Sequence, residues 1–283
     1  MDYPLPSTFY HPPNTTLMKI DIFQIDAFTN QLFGGNPAAV CPLREWLEDE
    51  ILLQITRENN LAETAFFIPL ANGHFHLRWF TPEIEMDLCG HATLATAFVI
   101  FEELGYPNPA INFETQSGLL TVKKVNDLLE MDFPSRPPVP SDLPAIIKKG
   151  LNIQPVEVWK ARDYVLLYEQ AQDILDIEPN LSILNQINLD PGGIIVTAKG
   201  TTEDIDFVSR FFTPQASIFE DPVTGSAHCT LVPFWADRLN QTEFKAMQLS
   251  KRRGELFCML EKDRVKIRGR AVKYLQGVVQ LLT

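Results

Sequence analysis

The sequence predicts an α+β protein of two pseudo-equivalent domains, each with many short strands around one buried helix. Three observations predict it: an internal repeat at about half the chain length, two mostly apolar helical segments at matching places in that repeat, and short alternating strands between turn signals. One copy of the repeat runs from Arg78-Trp-Phe-Thr-Pro82 through Cys89-Gly-His-Ala-Thr-Leu94; the other runs from Arg210-Phe-Phe-Thr-Pro214 through Asp221-Pro-Val-Thr-Gly-Ser-Ala227. Both read as an arginine, two aromatics, Thr-Pro, an acidic loop, then a glycine and a small polar stretch opening an apolar helix. Thr81 recurs as Thr213 and Gly90 as Gly225, offsets of 132 and 135 in a chain of 283 residues. Chance repetition of Phe-Thr-Pro is ordinary; repetition of the whole order at a half-chain offset is not.

Residues 1–17 carry four prolines among polar residues and read as an extended tail. A first strand is expected over Lys19-Ile-Asp-Ile-Phe-Gln-Ile-Asp26, where apolar and polar residues alternate. Trp46, Leu47, Ile51, Leu52 and Ile55 recur at helical spacing and predict an amphipathic helix over 43–59. Two aromatic-rich strands, 61–69 and 74–80, flank a turn at Asn72-Gly73. The segment 90–104 is apolar on all sides, which predicts a helix buried on all sides. Short strands follow to Phe133. The Pro-rich stretch 134–144 is the best linker, so the predicted domains are 18–133 and 134–283, with a last strand near 272–283 able to rejoin the first. The second domain holds a helix near 141–149 and the second apolar helix over 225–239.

Lys and Arg number 24 against 36 Asp and Glu, a formal net charge of −12. That excess argues against nucleic acid and against an anionic membrane surface as partners, since both are bound through Lys and Arg. It leaves a small anionic substrate open, because a helix end can override the global field locally. No run of about 18 uncharged apolar residues predicts a membrane span. Cys41, Cys89, Cys229 and Cys258 lie far apart with no C-x-x-C pair, so free thiols, no metal cluster and a cytoplasmic address are expected.

A helix start presents unpaired N–H groups and a partial positive charge. If the halves pack about a pseudo-twofold, the starts at Gly90 and Gly225 face one cleft and suit a carboxylate. The alternative is that both glycines only permit tight turns. Glu63 is a lone carboxylate in the apolar run Asn60-Leu-Ala-Glu-Thr-Ala-Phe-Phe67. Burial there disfavours its charged form and suits a proton shuttle; a place on the solvent face of a half-buried strand explains it equally. His91 lies in the first turn of a helix, where the dipole favours neutral imidazole. It is a candidate proton relay, or a capping residue. Asp221 can orient a protonated group or simply make an Asp-Pro turn. Ser226 is a donor or an N-terminal cap, and Asn36 in Gly-Gly-Asn-Pro is a site amide or a turn residue. Cys89 has no thiol opposite it, since Thr224 takes that place, and it reads as a packing residue. Nucleophile elbow, P-loop, dinucleotide and zinc-protease motifs are absent.

In these blocks, together with Asp26-Ala-Phe-Thr-Asn-Gln-Leu-Phe-Gly-Gly-Asn-Pro-Ala-Ala-Val40, the chain resembles the PhzF-like family, named after the phenazine-biosynthesis isomerase. The resemblance spans about 19–280. It implies a diaminopimelate-epimerase-like fold: two domains, each a curved antiparallel sheet wrapped round a central helix. It also implies an interdomain cleft, a homodimer and no cofactor. The family's catalytic Glu falls on Glu63, its site His, Asp and Ser on His91, Asp221 and Ser226, and its helix-start glycines on Gly90 and Gly225. The expected activity is isomerisation of a small carboxylated substrate by proton transfer through Glu63. A two-base racemase or epimerase and a non-catalytic ligand-binding protein are the rivals.

Overall fold

The computed structural model describes residues 17–189, 192–216 and 218–282; apart from Leu17, the expected tail lies outside them. The first half runs β1 (Leu17–Ala27), β2 (Asn36–Pro42), α1 (Asp49–Asn59), β3 (Glu63–Pro69), β4 (Phe75–Phe80), β5 (Glu85–Met86), α2 (Gly90–Phe98), β6 (Ala110–Thr115), β7 (Gly118–Val125) and β8 (Leu128–Pro134). The second runs β9 (Val139–Pro140), α3 (Ala145–Gly150), β10 (Glu157–Lys160), β11 (Tyr164–Leu167), α4 (Ala171–Asp176), α5 (Leu181–Leu184), β12 (Ile194–Lys199), β13 (Phe207–Phe212), α6 (Gly225–Leu239), β14 (Glu243–Gln248), β15 (Gly254–Glu261) and β16 (Arg264–Gly269). The last strand, β17 (Ala271–Leu282), returns to pair antiparallel with β1.

The halves repeat one pairing order. In the first, β2 is parallel to β3, β3 antiparallel to β4, β4 parallel to β6, and β6, β7 and β8 follow antiparallel. In the second, β11 is parallel to β12, β12 antiparallel to β13, β13 parallel to β14, and β14, β15 and β16 follow antiparallel. Two equivalent strands, β8 and β16, pair with each other and join the halves, with Met131 opposite Ile267. The separation of those two residues is close to the repeat's own offset, as a local twofold through the strand pair requires.

The expected fold is observed with one correction: each sheet is mixed rather than antiparallel. Parallel neighbours need a crossover connection. Helix α1 provides one between β2 and β3, and α2 another between β4 and β6; α4 with α5, and then α6, do the same in the second half.

Two helices differ from their sequence expectation. Helix α1 begins at Asp49, not Leu43; the Leu43 amide donates to the Phe67 carbonyl at 2.8 Å, which keeps residue 43 extended alongside β3. The 90–104 segment is α-helical only to Phe98 and continues as a π-turn over Val99–Glu103, where the Leu104 amide reaches the Val99 carbonyl. Helix α6 matches its expected span.

Both central helices are enclosed as their apolar surfaces demand; His91 through Ala97 are all buried, as are Ala227 through Trp235. One continuous core links the halves through Leu94, Phe133, Leu231, Phe234 and Ile267. Inside α6, His228 is fully buried, stacked on Phe207, with Nδ1 2.8 Å from the Thr224 carbonyl. Burial pushes its pKa down to about 4. The unfolded chain therefore binds this proton more tightly than the folded one, so stability is lost as pH falls from about 6.5 to about 4. The wild type is expected to lose up to ~3 kcal/mol more than His228→Gln over that window in denaturant melts; equal losses would contradict the assignment.

Candidate active site

The starts of α2 and α6 meet where the halves meet. A Cβ built on Gly90 would lie 3.8 Å from the Gly225 Cα, and the reverse distance is 3.9 Å. Neither helix has a side-chain cap or an acidic residue in its first turn, so neither positive end is offset from within its own helix. The floor beneath them is aromatic, Phe133 under Gly90 and Phe28 under Gly225. Phe28 is fully buried with φ of 64°, a left-handed conformation that costs a non-glycine residue energy and is often kept near functional sites.

Gathered at these helix starts are the groups singled out in sequence. Glu63 is the first residue of β3, and its Oε2 lies 3.1 Å from His91 Nε2. The two side chains retain 17% and 6% exposure, so the pair is largely screened from water. The other ring nitrogen, Nδ1, lies 3.6 Å from Cys89 Sγ. Cys89 is thus a neighbour of the candidate base as well as a packing residue. These three groups offer ligand atoms within 4.8 Å of one another. The imidazole, however, stands between thiol and carboxylate with a different nitrogen toward each, which suits a proton relay better than a chelate.

Neutral imidazole was the sequence expectation for His91, and the structure corrects it. Burial opposes the charged ring, but the adjoining Cys89 and Glu63 raise its pKa well above the ordinary value. A carboxylate at 3.1 Å outweighs a helix end whose field falls off within one turn.

From the other half, Asp221 faces this pair. Burial raises its carboxyl to about 6; His91 and hydrogen bonds from Thr224 and Asn36 work in the opposite direction, while Glu63 adds to the rise. Thr224 Oγ1 donates to Asp221 Oδ2 at 2.5 Å. Asn36 Nδ2, from the first half, donates to Asp221 Oδ1 at 2.7 Å and to the Val223 carbonyl at 3.0 Å. Asn36 therefore positions Asp221 across the domain boundary. Ser226 sits one residue inside α6, where its hydroxyl accepts from Arg162 Nη2 at 3.1 Å.

Three supporting residues escaped the sequence reading. Gln248 is fully buried; its Oε1 accepts from the Thr224 amide and its Nε2 donates to the Asp221 carbonyl, so it holds the turn into α6. Arg252 spans the halves, donating to Asp26 Oδ1 and to the carbonyls of Gly34 and Gly35 at 2.7–2.9 Å. Asp26 accepts in turn from the Phe33 amide. No motif marks Gln248 or Arg252. Asp26 is the polar member of an otherwise apolar strand end, a weak signal for a structural carboxylate.

The glycines yield a separable test. A methyl on Gly225 meets only ordinary contacts, and alanine favours a helix by ~0.5–1 kcal/mol. Gly225→Ala is expected to keep or raise the melting temperature while a small carboxylate loses affinity at least about tenfold, since the Cβ enters the space between the helix starts. Unchanged affinity would remove the helix starts from the binding site.

A half-buried glutamate against a buried histidine, two converging helix starts and an aspartate from the second half thus stand together at one place. The chain belongs to the family described as phenazine biosynthesis-like proteins, whose model matches residues 25–277. It is 46% identical to an uncharacterized isomerase of Pseudomonas aeruginosa over 93% of this chain and all of that one. A PhzF-family crystal structure from Enterococcus faecalis superposes with a TM-score of 0.89 at 42% identity, covering 93% of this chain and all of that one. A hydroxyproline epimerase of Agrobacterium vitis shares the fold alone, with a TM-score of 0.60 at 11% identity over 93% of this chain and 92% of that one. Relatives named as isomerases support an isomerase-type activity here.

Proposed function

We propose that the protein is a cofactor-independent isomerase of a small carboxylated substrate, cyclic or amino-acid-like, with Glu63 moving the proton. The observation that carries this reading is the Glu63–His91 pair at 3.1 Å beside the paired helix starts. The Glu63 carboxylate takes a proton from an activated carbon, and the electron pair spreads through the substrate's conjugated system. The resulting Glu63 carboxylic acid returns the proton to another carbon of that system. One base suffices because both carbons lie on one face. Protonated His91 sets its positive charge beside Glu63 and beside the charge developing on the substrate, and Asp221 balances that positive ring. The amides at Gly90 and Gly225, with Ser226, hold the substrate carboxylate. Proximity and exclusion of water supply most of the acceleration.

A second reading has one observation in its favour. Asp221, with its pKa near 6, faces Glu63 from the opposite half, which is where a second base of a racemase or epimerase would stand. Turnover of a panel of small cyclic and amino-acid carboxylates in deuterium oxide separates the two. The one-base shift predicts product in which part of the transferred hydrogen remains substrate-derived. Full solvent deuterium with inversion at a stereocentre would favour two bases, and inactivity across the panel with tight ligand binding would favour a binding protein.

A cytoplasmic address and a homodimer belong to the same proposal. All four cysteines are buried and unpaired, as a reducing compartment favours. Among the described residues no helix is long and apolar enough to cross a membrane. Tyr274, Leu275, Val278 and Leu282 stand exposed along β17, apolar side chains that a second copy would cover.

A further inference from the structure

Resting on the isomerase reading, we propose that the α6 side of the site is a second anion subsite built by Arg162 and Arg136, and that the substrate is accordingly a dicarboxylate. One carboxylate sits at the helix starts and the other on these two guanidinium groups.

The repeat itself exposes the difference between the two sides. Thr64 pairs with Phe80 in the first half as Ile194 pairs with Phe212 in the second, so Gly193 occupies the place of Glu63. Ser226 likewise occupies the place of His91. No side chain fits at Gly193, where a Cβ would lie 2.5 Å from the Phe211 ring and 2.7 Å from the Phe212 carbonyl. The acid–base pair thus has no counterpart. What stands there is Arg162, its Nη2 on Ser226 Oγ and its side chain 31% exposed.

Arg136 is brought to the same helix by a proline. Pro233 lies inside α6 and has no N–H to give to the Cys229 carbonyl four residues earlier. The Arg136 amide takes that carbonyl instead, at 2.9 Å. Its guanidinium Nη1 is enclosed and has no hydrogen-bond partner among the described residues. An enclosed charged donor left unpaired is costly, and a ligand oxygen would remove that cost. The Asp163 carboxyl and the Cys229 thiol both lie within electrostatic reach of both arginines.

Among the described residues, Asp163 is the acid that lies with both arginines. It is fully buried, with Oδ1 accepting from the Gly193 amide at 2.8 Å and lying 3.4 Å from Arg162 Nε. It offsets one of the two arginine charges, and the α6 start adds to the remainder. A local positive field of this kind, in a chain of net charge −12, fits an anion and is poorly suited to a neutral ring. Asp163 Oδ2 is also without a partner among the described residues, so closure of Asp163 onto Arg136 is the competing arrangement, and it predicts no use for a second carboxylate.

Calorimetric titration with benzoate and with the three benzenedicarboxylates, phthalate, isophthalate and terephthalate, tests the proposal on the intact protein. The best-fitting dicarboxylate is expected to bind about ten- to a hundredfold more tightly than benzoate, the range of one charge-assisted pair. Arg162→Gln, at a partly exposed position, should bring that ratio near one, and Arg136→Gln should lower it. Glu63→Gln should keep the ratio, so that loss of the isomerase reading and loss of the subsite are told apart. No preference for any of the three over benzoate in the wild type, including no binding of any at millimolar concentration, would overturn the proposal. An equal loss of both ligand types in Arg162→Gln would also overturn it.

Discussion

Glu63→Gln is expected to lose about 10²- to 10⁴-fold in turnover, the contribution of a positioned general acid–base group. The amide keeps the volume and a hydrogen-bonding oxygen at the start of β3, so the register of β3 against β2 and β4 should be unaffected. It removes the charge opposite His91. The raised pKa of His91 rests partly on Glu63, so the same variant should lower the imidazole titration seen by nuclear magnetic resonance. The two readouts answer different questions. Lost turnover with a moved His91 titration is the expected pair. Wild-type turnover would end the assignment of Glu63 as the proton carrier, whatever His91 does.

The largest expected effect on stability comes from Arg252→Ala. Arg252 is the cation on Asp26, a carboxyl with 2% side-chain exposure, and it also ties down the Gly34 and Gly35 carbonyls. Burial raises the Asp26 pKa, with Arg252 and the Phe33 amide opposing that rise. Removing the cation strands a buried acid and loosens the 28–36 loop that carries Asn36. Breaking a buried pair costs ~3–5 kcal/mol; because the arginine is 30% exposed, ~2–4 kcal/mol is the expected loss in a denaturant melt. Asn36 reaches Asp221 from the end of that loop, so substrate affinity should fall with stability. A loss below about 0.5 kcal/mol, the level of an ordinary surface change, would contradict the cross-domain role.

The duplicated architecture was legible because a repeat is a global signal. The order Arg, two aromatics, Thr-Pro, acidic loop and glycine marked both halves and both buried helices, and α6 spans the segment that periodicity outlined. Strand polarity was less legible. Alternation identifies a strand without its partner, and the parallel pairs arise from crossovers that only the tertiary structure reveals. At α1 the apolar spacing of Trp46 and Leu47 was real, but these residues pack ahead of the helix, in the segment that leaves β3 at Leu43. In the site, Glu63 was ambiguous from periodicity alone and rose through the family blocks. For His91 a helix dipole can be read from position, whereas the carboxylate brought from β3, which with Cys89 raises its pKa, cannot. Gln248, Arg252 and Arg162 act across long sequence separations through side chains no motif encloses, so their roles emerge only when the halves are packed.

The central claim is that one carboxylate works beside a pair of converging helix starts. Its most direct test is a crystal structure of Glu63→Gln with a small cyclic carboxylate soaked in. The account predicts the ligand carboxylate on the amides at Gly90 and Gly225, with a ring carbon in contact with the residue 63 side chain. A carboxylate seated elsewhere, or a ring turned away from residue 63, would contradict it.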